Sequence, residues 1–133
     1  MIVVIDTSVW VSAMHFEKRQ GSPVLALERA RYQDRIAICD EIAEEIFGVL
    51  TEKFGWEPSA VRSRLSYLLV RSTKVSISGT LHVCRDPNDD MILECAMLAG
   101  AQAIVAGDKD LLSLRSYKGI QIATPAEYLA LPE

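Results

Sequence analysis

The chain has 133 residues and a mass of 14.7 kDa, is half hydrophobic and has a mean hydropathy of +0.15. These values suit one compact domain with a sizeable core and exclude a disordered chain. A net charge of −4, from 14 Lys and Arg against 18 Asp and Glu, excludes a generally basic protein that holds nucleic acid by salt-dependent attraction alone. No apolar run approaches the ~20 residues that cross a bilayer, so no membrane association is expected. The N-terminus MIVVIDTSVW lacks the charged leader of a secretory signal. Three cysteines (Cys39, Cys84, Cys95) in no paired spacing point to a reducing, cytoplasmic setting rather than a disulfide framework.

Residues 2–5 form a β-branched apolar run, the pattern of a central parallel strand buried on both faces. The run stops at Asp6, before the helix-capping residue types Thr7 and Ser8. A helix is predicted over 22–33, with Ser22 as cap and Pro23 at its first position. A short strand follows at 35–39. Asp40 then caps a helix with apolar residues Ile42, Ala43, Ile46, Phe47, Leu50 and Phe54 at helical spacing. Pro58 and Ser59 open another helix, carrying Val61, Leu65, Leu68 and Leu69.

A strand is predicted over 73–77, ended by Gly79, and residues 81–84 read as an extended approach to an Asp-rich turn. Asp86-Pro87-Asn88-Asp89-Asp90 opens a helix reaching Leu98, with Gly100 as its C-terminal cap. A strand at 103–106 ends in Gly107-Asp108; a last strand at 120–123 and a helix at 125–131 complete the chain. Strands alternating with helices predict an α/β sandwich around a mostly parallel sheet.

Ligands of open parallel sheets bind beyond the C-terminal ends of the strands. The pattern places Asp6 and Asp108 there, and Asp89 can join them from a helix N-terminus. Carboxylates converging without a cation repel and raise one another's pKa. Mg²⁺, which prefers oxygen ligands, removes that conflict. Committing four carboxylates to cations would leave the remaining acids and bases in balance. Two metal ions ~3.5–4 Å apart suit phosphodiester hydrolysis without a histidine base, and neither His15 nor His82 lies in a motif.

Each acid also has a plainer reading: Asp6 as the cap of a helix that follows a strand, Asp89 as a turn and cap residue after Pro87, a role that Asp86 fits better, and Asp108 as part of a turn. Glu44 and Glu45 fall on opposite flanks of an apolar stripe, and the periodicity alone selects neither. The cysteines read as core fillers. Trp10 and Phe16 read as core or dimer contacts, with base stacking the alternative. Arg85 and Lys109 flank the acids as phosphate contacts or as solvated charges.

The segments V-V-I-D-T-S-V at 3–9, E-I-F-G-V-L at 45–50, R-D-P-N-D-D-M-I-L-E-C-A at 85–96 and V-A-G-D-K-D-L-L at 105–112, in this order and spacing, resemble the PIN domain family. The likeness runs over essentially all of 1–133 as one domain and is strongest to the VapC-type ribonuclease toxins of prokaryotic toxin–antitoxin pairs. It implies a three-layer α/β/α sandwich and cleavage of single-stranded RNA with Mg²⁺ or Mn²⁺. It selects Asp6, Glu45, Asp89 and Asp108 as an acidic quartet that binds metal and catalyses, with Asp86 and Asp110 as accessory acids and Thr7 as a polar neighbour. Ser8 and Asp90 stand where many relatives carry Asn. An RNA substrate, an antitoxin partner and a homodimer follow from the same likeness.

Two other classes compete. A catalytically silent module would bind RNA or protein through the same fold, and an incomplete acidic set would mark it. An aspartyl phosphatase would need a second Asp two residues after Asp6, where Ser8 stands. No Gly-rich phosphate loop is present, which excludes a P-loop nucleotidase.

Overall fold

The structure, a computed structural model, describes residues 1–132. Strand β1 (Ile2–Ile5) leads into helix α1 (Thr7–His15), and a 3₁₀ turn at Glu17–Arg19 precedes α2 (Ser22–Tyr32). Strand β2 (Arg35–Ile38) is followed by α3 (Asp40–Gly48), a π-helical turn (Val49–Lys53) and α4 (Pro58–Leu68). Next come β3 (Thr73–Lys74), α5 (Pro87–Ala99), β4 (Ala103–Val105), α6 (Lys109–Leu114), the hairpin β5 (Ser116–Tyr117) and β6 (Ile120–Ala123), and α7 (Pro125–Leu129).

The six strands lie in the order β3-β2-β1-β4-β6-β5, all parallel except β5. Val3, Val4 and Ile5 are at most 1% exposed, so β1 is buried on both faces, as its unbroken apolar run predicts. Helices α1 and α2 pack together and α2 packs against α7, while α5 covers β1, β2 and β4. The architecture is the expected three-layer α/β/α sandwich with a mostly parallel sheet. The core runs through all of these elements as one cluster, with Trp10, Tyr128, Ile42, Ile46, Leu93 and Leu111 among its large buried side chains.

Several boundaries shift. The strand expected over 73–77 pairs with β2 only at Thr73 and Lys74. Beyond them, the backbone N–H groups of Ser78 and Gly79 are taken by the Glu94 carboxylate rather than by a strand. Cys39 lies past β2 in the N-cap position of α3, so Asp40 is the first helical residue. Gly21, with no capping side chain, precedes Ser22. The final helix stops at Leu129. Helix α6, short strand β5 and the π turn have no counterpart among the expected elements.

Candidate metal centre

Asp6 caps α1. Its Oδ1 accepts from Val9 N and Ser8 Oγ, each at 2.9 Å. Its Oδ2 accepts from Gly107 N at 3.0 Å and Asp108 N at 3.4 Å. One carboxylate thus ties the end of β1 to the end of β4, and both its plain and its functional placement hold: it is a cap, and it stands at the C-terminal edge of the sheet. A Cβ on Gly107 would lie 2.9 Å from Ser8 Oγ, so a larger residue there would force the Ser8 side chain to turn away from Asp6.

Asp108 caps α6 through Leu111 N, at 3.1 Å. Asp86 caps α5 through Asn88 N, at 2.9 Å. With Asp86 as the cap, Asp89 is free of that role and sits in the first turn, only 7% exposed. Its Oδ2 is buried with no hydrogen-bond donor among the described residues. One oxygen from each of Asp89, Asp108 and Asp110 lies within 4.8 Å of the others. Burial pushes the Asp89 pKa up to about 7, helped by the Asp108 carboxyl beside it and by the charges of Asp86 and Asp110. With both groups ionised nothing donates to Asp89 Oδ2; a proton on Asp89 allows it to donate to Asp108.

The structure therefore brings together Asp89 and Asp108 of the expected quartet, with Asp110, an expected accessory acid, as the third member of the trio. Asp6 is joined to them through the backbone of residues 107 and 108. Glu45, on α3, accepts a hydrogen bond from Thr7 Oγ1 and so reaches the first turn of α1 beside Asp6. Glu44 is exposed and lines a 660 Å³ groove with Phe47 and Arg62, between α3 and α4. Neither Asp6 nor Glu45 offers an oxygen within the trio. Arg85 Nη2 contacts both oxygens of Asp110, at 3.0 and 3.2 Å, and is otherwise in solvent. Lys109 is exposed, with no carboxylate partner among the described residues.

Hard oxygen donors, a buried one without a partner and no soft ligand among them are the donor set of Mg²⁺ or Mn²⁺ rather than of zinc. The fit is good for a cation held by Asp89, Asp108 and Asp110.

Two acids on α5 escaped sequence reasoning as structural groups. Asp90 Oδ1 accepts from Val83 N and Cys84 N at 2.9 and 2.8 Å. Glu94, one helical turn on, takes the backbone of Ser78 and Gly79. Burial pushes both carboxyls up, but these N–H donors outweigh it and hold both below their ordinary values. Together they fasten the segment 78–84 that leads to Arg85 and Asp86. Their signal in the sequence is an acidic pair at i, i+4 among the buried residues of α5. Trp10 is 1% exposed and belongs to the core. His15 accepts from Trp56 Nε1 at 3.0 Å and packs against Phe54, at the end of α1 away from the acids. Cys39 and Cys95 are buried, as core fillers are.

A parallel α/β/α sandwich with a carboxylate cluster beyond the C-terminal ends of its central strands is an acid-centred α/β domain of the kind that ligates hard cations. The chain belongs to the PIN domain family, whose model matches residues 2–110. It is 26% identical over 138 residues to protein MJ1680 of Methanocaldococcus jannaschii, covering 96% of this chain and 88% of that one. Its fold is similar to a chain of Rickettsia felis VapBC2, solved bound to a DNA fragment from its promoter, at a TM-score of 0.63 and 19% identity over 92% of this chain and 97% of that one. It is equally similar, at a TM-score of 0.63 and 14% identity over 90% and 98%, to VapC20 of Mycobacterium tuberculosis, a toxin that cleaves the sarcin-ricin loop. Among the described residues no helix is long and apolar enough to cross a membrane.

Proposed function

We propose that this protein is a divalent-cation-dependent endoribonuclease, the toxin of a toxin–antitoxin pair, acting as one domain over 1–133 in the cytoplasm. The observation that carries the reading is the buried, donorless Asp89 Oδ2 beside Asp108 and Asp110. An ionised carboxylate without a donor in a cluster of like charge is costly, and either a proton or a cation relieves it; at neutral pH and above a cation does so without protonating the acid. VapC20, whose fold this chain shares, is an RNA-cleaving toxin, and VapBC2 gives the precedent for an antitoxin partner. A second copy of the chain is proposed as a further partner.

In this reading Asp89, Asp108 and Asp110 hold Mg²⁺ or Mn²⁺. Asp6 and Glu45 complete the catalytic acids, and Asp86 and Thr7 support them. When bound, the cation supplies positive charge to the phosphate and lowers the pKa of a water. Asp6 holds the ends of β1 and β4 in register through its four hydrogen bonds, which sets the position of Asp108. Thr7 fixes Glu45 through Oε1, leaving Oε2 to orient the attacking water and take its proton. Arg85, exposed and paired with Asp110, would be placed to neutralise a phosphate oxygen beside a cation held there. No group of the protein becomes covalently attached to the substrate.

The test is incubation of purified protein with structured RNAs in Mg²⁺, Mn²⁺ or EDTA. Cleavage in either cation that stops in EDTA and in Asp6→Asn/Asp89→Asn is expected. Cleavage that survives the double substitution overturns the assignment. No cation binding by calorimetry would instead favour a silent binding module.

A further inference from the structure

At the opposite edge of the sheet, where α2 and α4 end and β2 and β3 begin, the chain gathers Arg31, Arg35 and Arg71 around a 240 Å³ hollow flanked by Tyr32 and Tyr67. Arg31 lies between the two rings, 5.0 Å from the centroid of Tyr32 and 4.9 Å from that of Tyr67. The rings nonetheless remain 64% and 54% exposed. Arg35 Nη1 donates to the Arg71 carbonyl at 3.2 Å, which brings the two exposed arginines together. None of these three arginines has a carboxylate partner among the described residues. Arg64, 5.5 Å from the Tyr67 centroid, is already paired with Glu17 at 2.7 Å. The nearby Asp34 is engaged by the N-terminal amine and Arg29.

A cation at a helix C-terminus needs no ligand to explain it. That reading does not account for three at one place. The two helix ends carry about half a negative charge each, so three guanidiniums leave roughly +2. Nor does it account for two tyrosine rings left open on either side of the charge. Guanidiniums for phosphates and flat rings for bases are the pair of features that hold a single nucleic-acid strand. An acidic protein segment would use the charge but leave the rings idle.

We propose that this Arg–Tyr patch is a second nucleic-acid site, which takes single-stranded RNA at the edge of the sheet opposite the acids. The choice of RNA over DNA rests on the proposed nuclease function; the binding itself needs no cation. The patch thus supplies to a protein of net negative charge the attraction for RNA that its acidic centre lacks.

The experiment is fluorescence anisotropy of a labelled single-stranded oligouridylate with the full chain in EDTA, over a range of salt concentrations. Wild type is expected to bind, more weakly as salt rises. Arg35→Glu/Arg71→Glu is expected to bind at least tenfold more weakly and Tyr67→Ala three- to tenfold more weakly. Each phosphate that the variant no longer neutralises should reduce the slope of log affinity against log salt by about 0.7. Arg71→Gln, an exposed and conservative change, repeats the measurement should the double reversal not fold. Affinity unchanged in Arg71→Gln and Tyr67→Ala overturns the proposal, and a patch that serves a protein partner would give that result. Cleavage without any effect of these substitutions on binding sinks the patch and spares the nuclease. Binding through the patch with no cleavage in any cation does the reverse.

Discussion

The backbone N–H of Gly107 donates to Asp6 Oδ2 at 3.0 Å, across a sequence separation of 101 residues. The same glycine leaves room for Ser8 Oγ, which would lie 2.9 Å from a Cβ, to hold the other oxygen of Asp6. Gly107→Ala therefore forces Ser8 to turn away and give up its bond to Asp6. The expected cost is ~1–2 kcal/mol, together with a slower nuclease, because Asp6 loses one of the four hydrogen bonds that hold it. Urea denaturation and RNA cleavage on the same preparation check both; an unchanged midpoint contradicts the steric account.

Asp89 connects stability to pH. Its carboxyl is raised to about 7, so between about pH 4 and 7 the folded chain holds a proton that the unfolded chain has released. Stability of the metal-free protein should fall as pH rises through that window and level off above it. Asp89→Asn removes the conflict and is expected to stabilise the protein in EDTA at pH 8 by roughly 1–3 kcal/mol while abolishing cleavage. In millimolar Mg²⁺ the order reverses, since only wild type gains from binding the cation. Thermal melts of both proteins in EDTA and in Mg²⁺ decide it.

The neighbouring glutamates separate cleanly. Glu45 is bonded by Thr7, whereas Glu44 faces the α3–α4 groove. Glu45→Gln should lower RNA cleavage by at least a hundredfold, and Glu44→Gln by less than threefold, with little change in melting temperature for either. Equal losses would remove Glu45 from the proposed acid set.

Glu94→Ala should loosen residues 78–84 without unfolding the sheet. It deletes the acceptor for Ser78 N, Ser78 Oγ and Gly79 N. Hydrogen bonds to a charged group contribute about 1.5–3 kcal/mol. Amide exchange at residues 78 and 79 should rise by a factor of ten or more, while β1 stays protected. Uniform loss of protection would show instead that Glu94 supports the whole core.

Asp34 marks the acid limit of the fold. It accepts from the Tyr128 hydroxyl, pairs with the N-terminal amine at 3.0 Å and lies 3.4 Å from Arg29 Nε. Burial pushes its carboxyl up, but these donors and charges prevail and hold it below its ordinary value, while burial raises the Tyr128 phenol. A depressed acid stabilises above its unfolded pKa, near 4, and loses that contribution as pH falls through its folded value. Asp34→Asn should cost about 3 kcal/mol at pH 7, because Arg29 loses a charged partner, and progressively less as pH falls below about 4. Denaturant midpoints at the two pH values test the sign.

The buried strands and the order of helices were legible from local pattern, because a strand covered on both faces must be apolar throughout and a helix shows its buried side every three or four residues. Asp6 and Asp108 were legible as acids at strand ends for the same reason. Helix α6, the β5–β6 hairpin and the π turn were not. They are two to six residues long, too short for a pattern to repeat.

The sequence by itself determined most of the strands and helices, and which acids stand where strands end. Only the tertiary structure decided that Asp110 completes a trio with Asp89 and Asp108, and that Thr7 reaches Glu45 rather than Glu44. The reason is geometric: periodicity gives the face of a helix on which a side chain lies, whereas the meeting of oxygens from the starts of α5 and α6 depends on strand order and register, which no local pattern encodes.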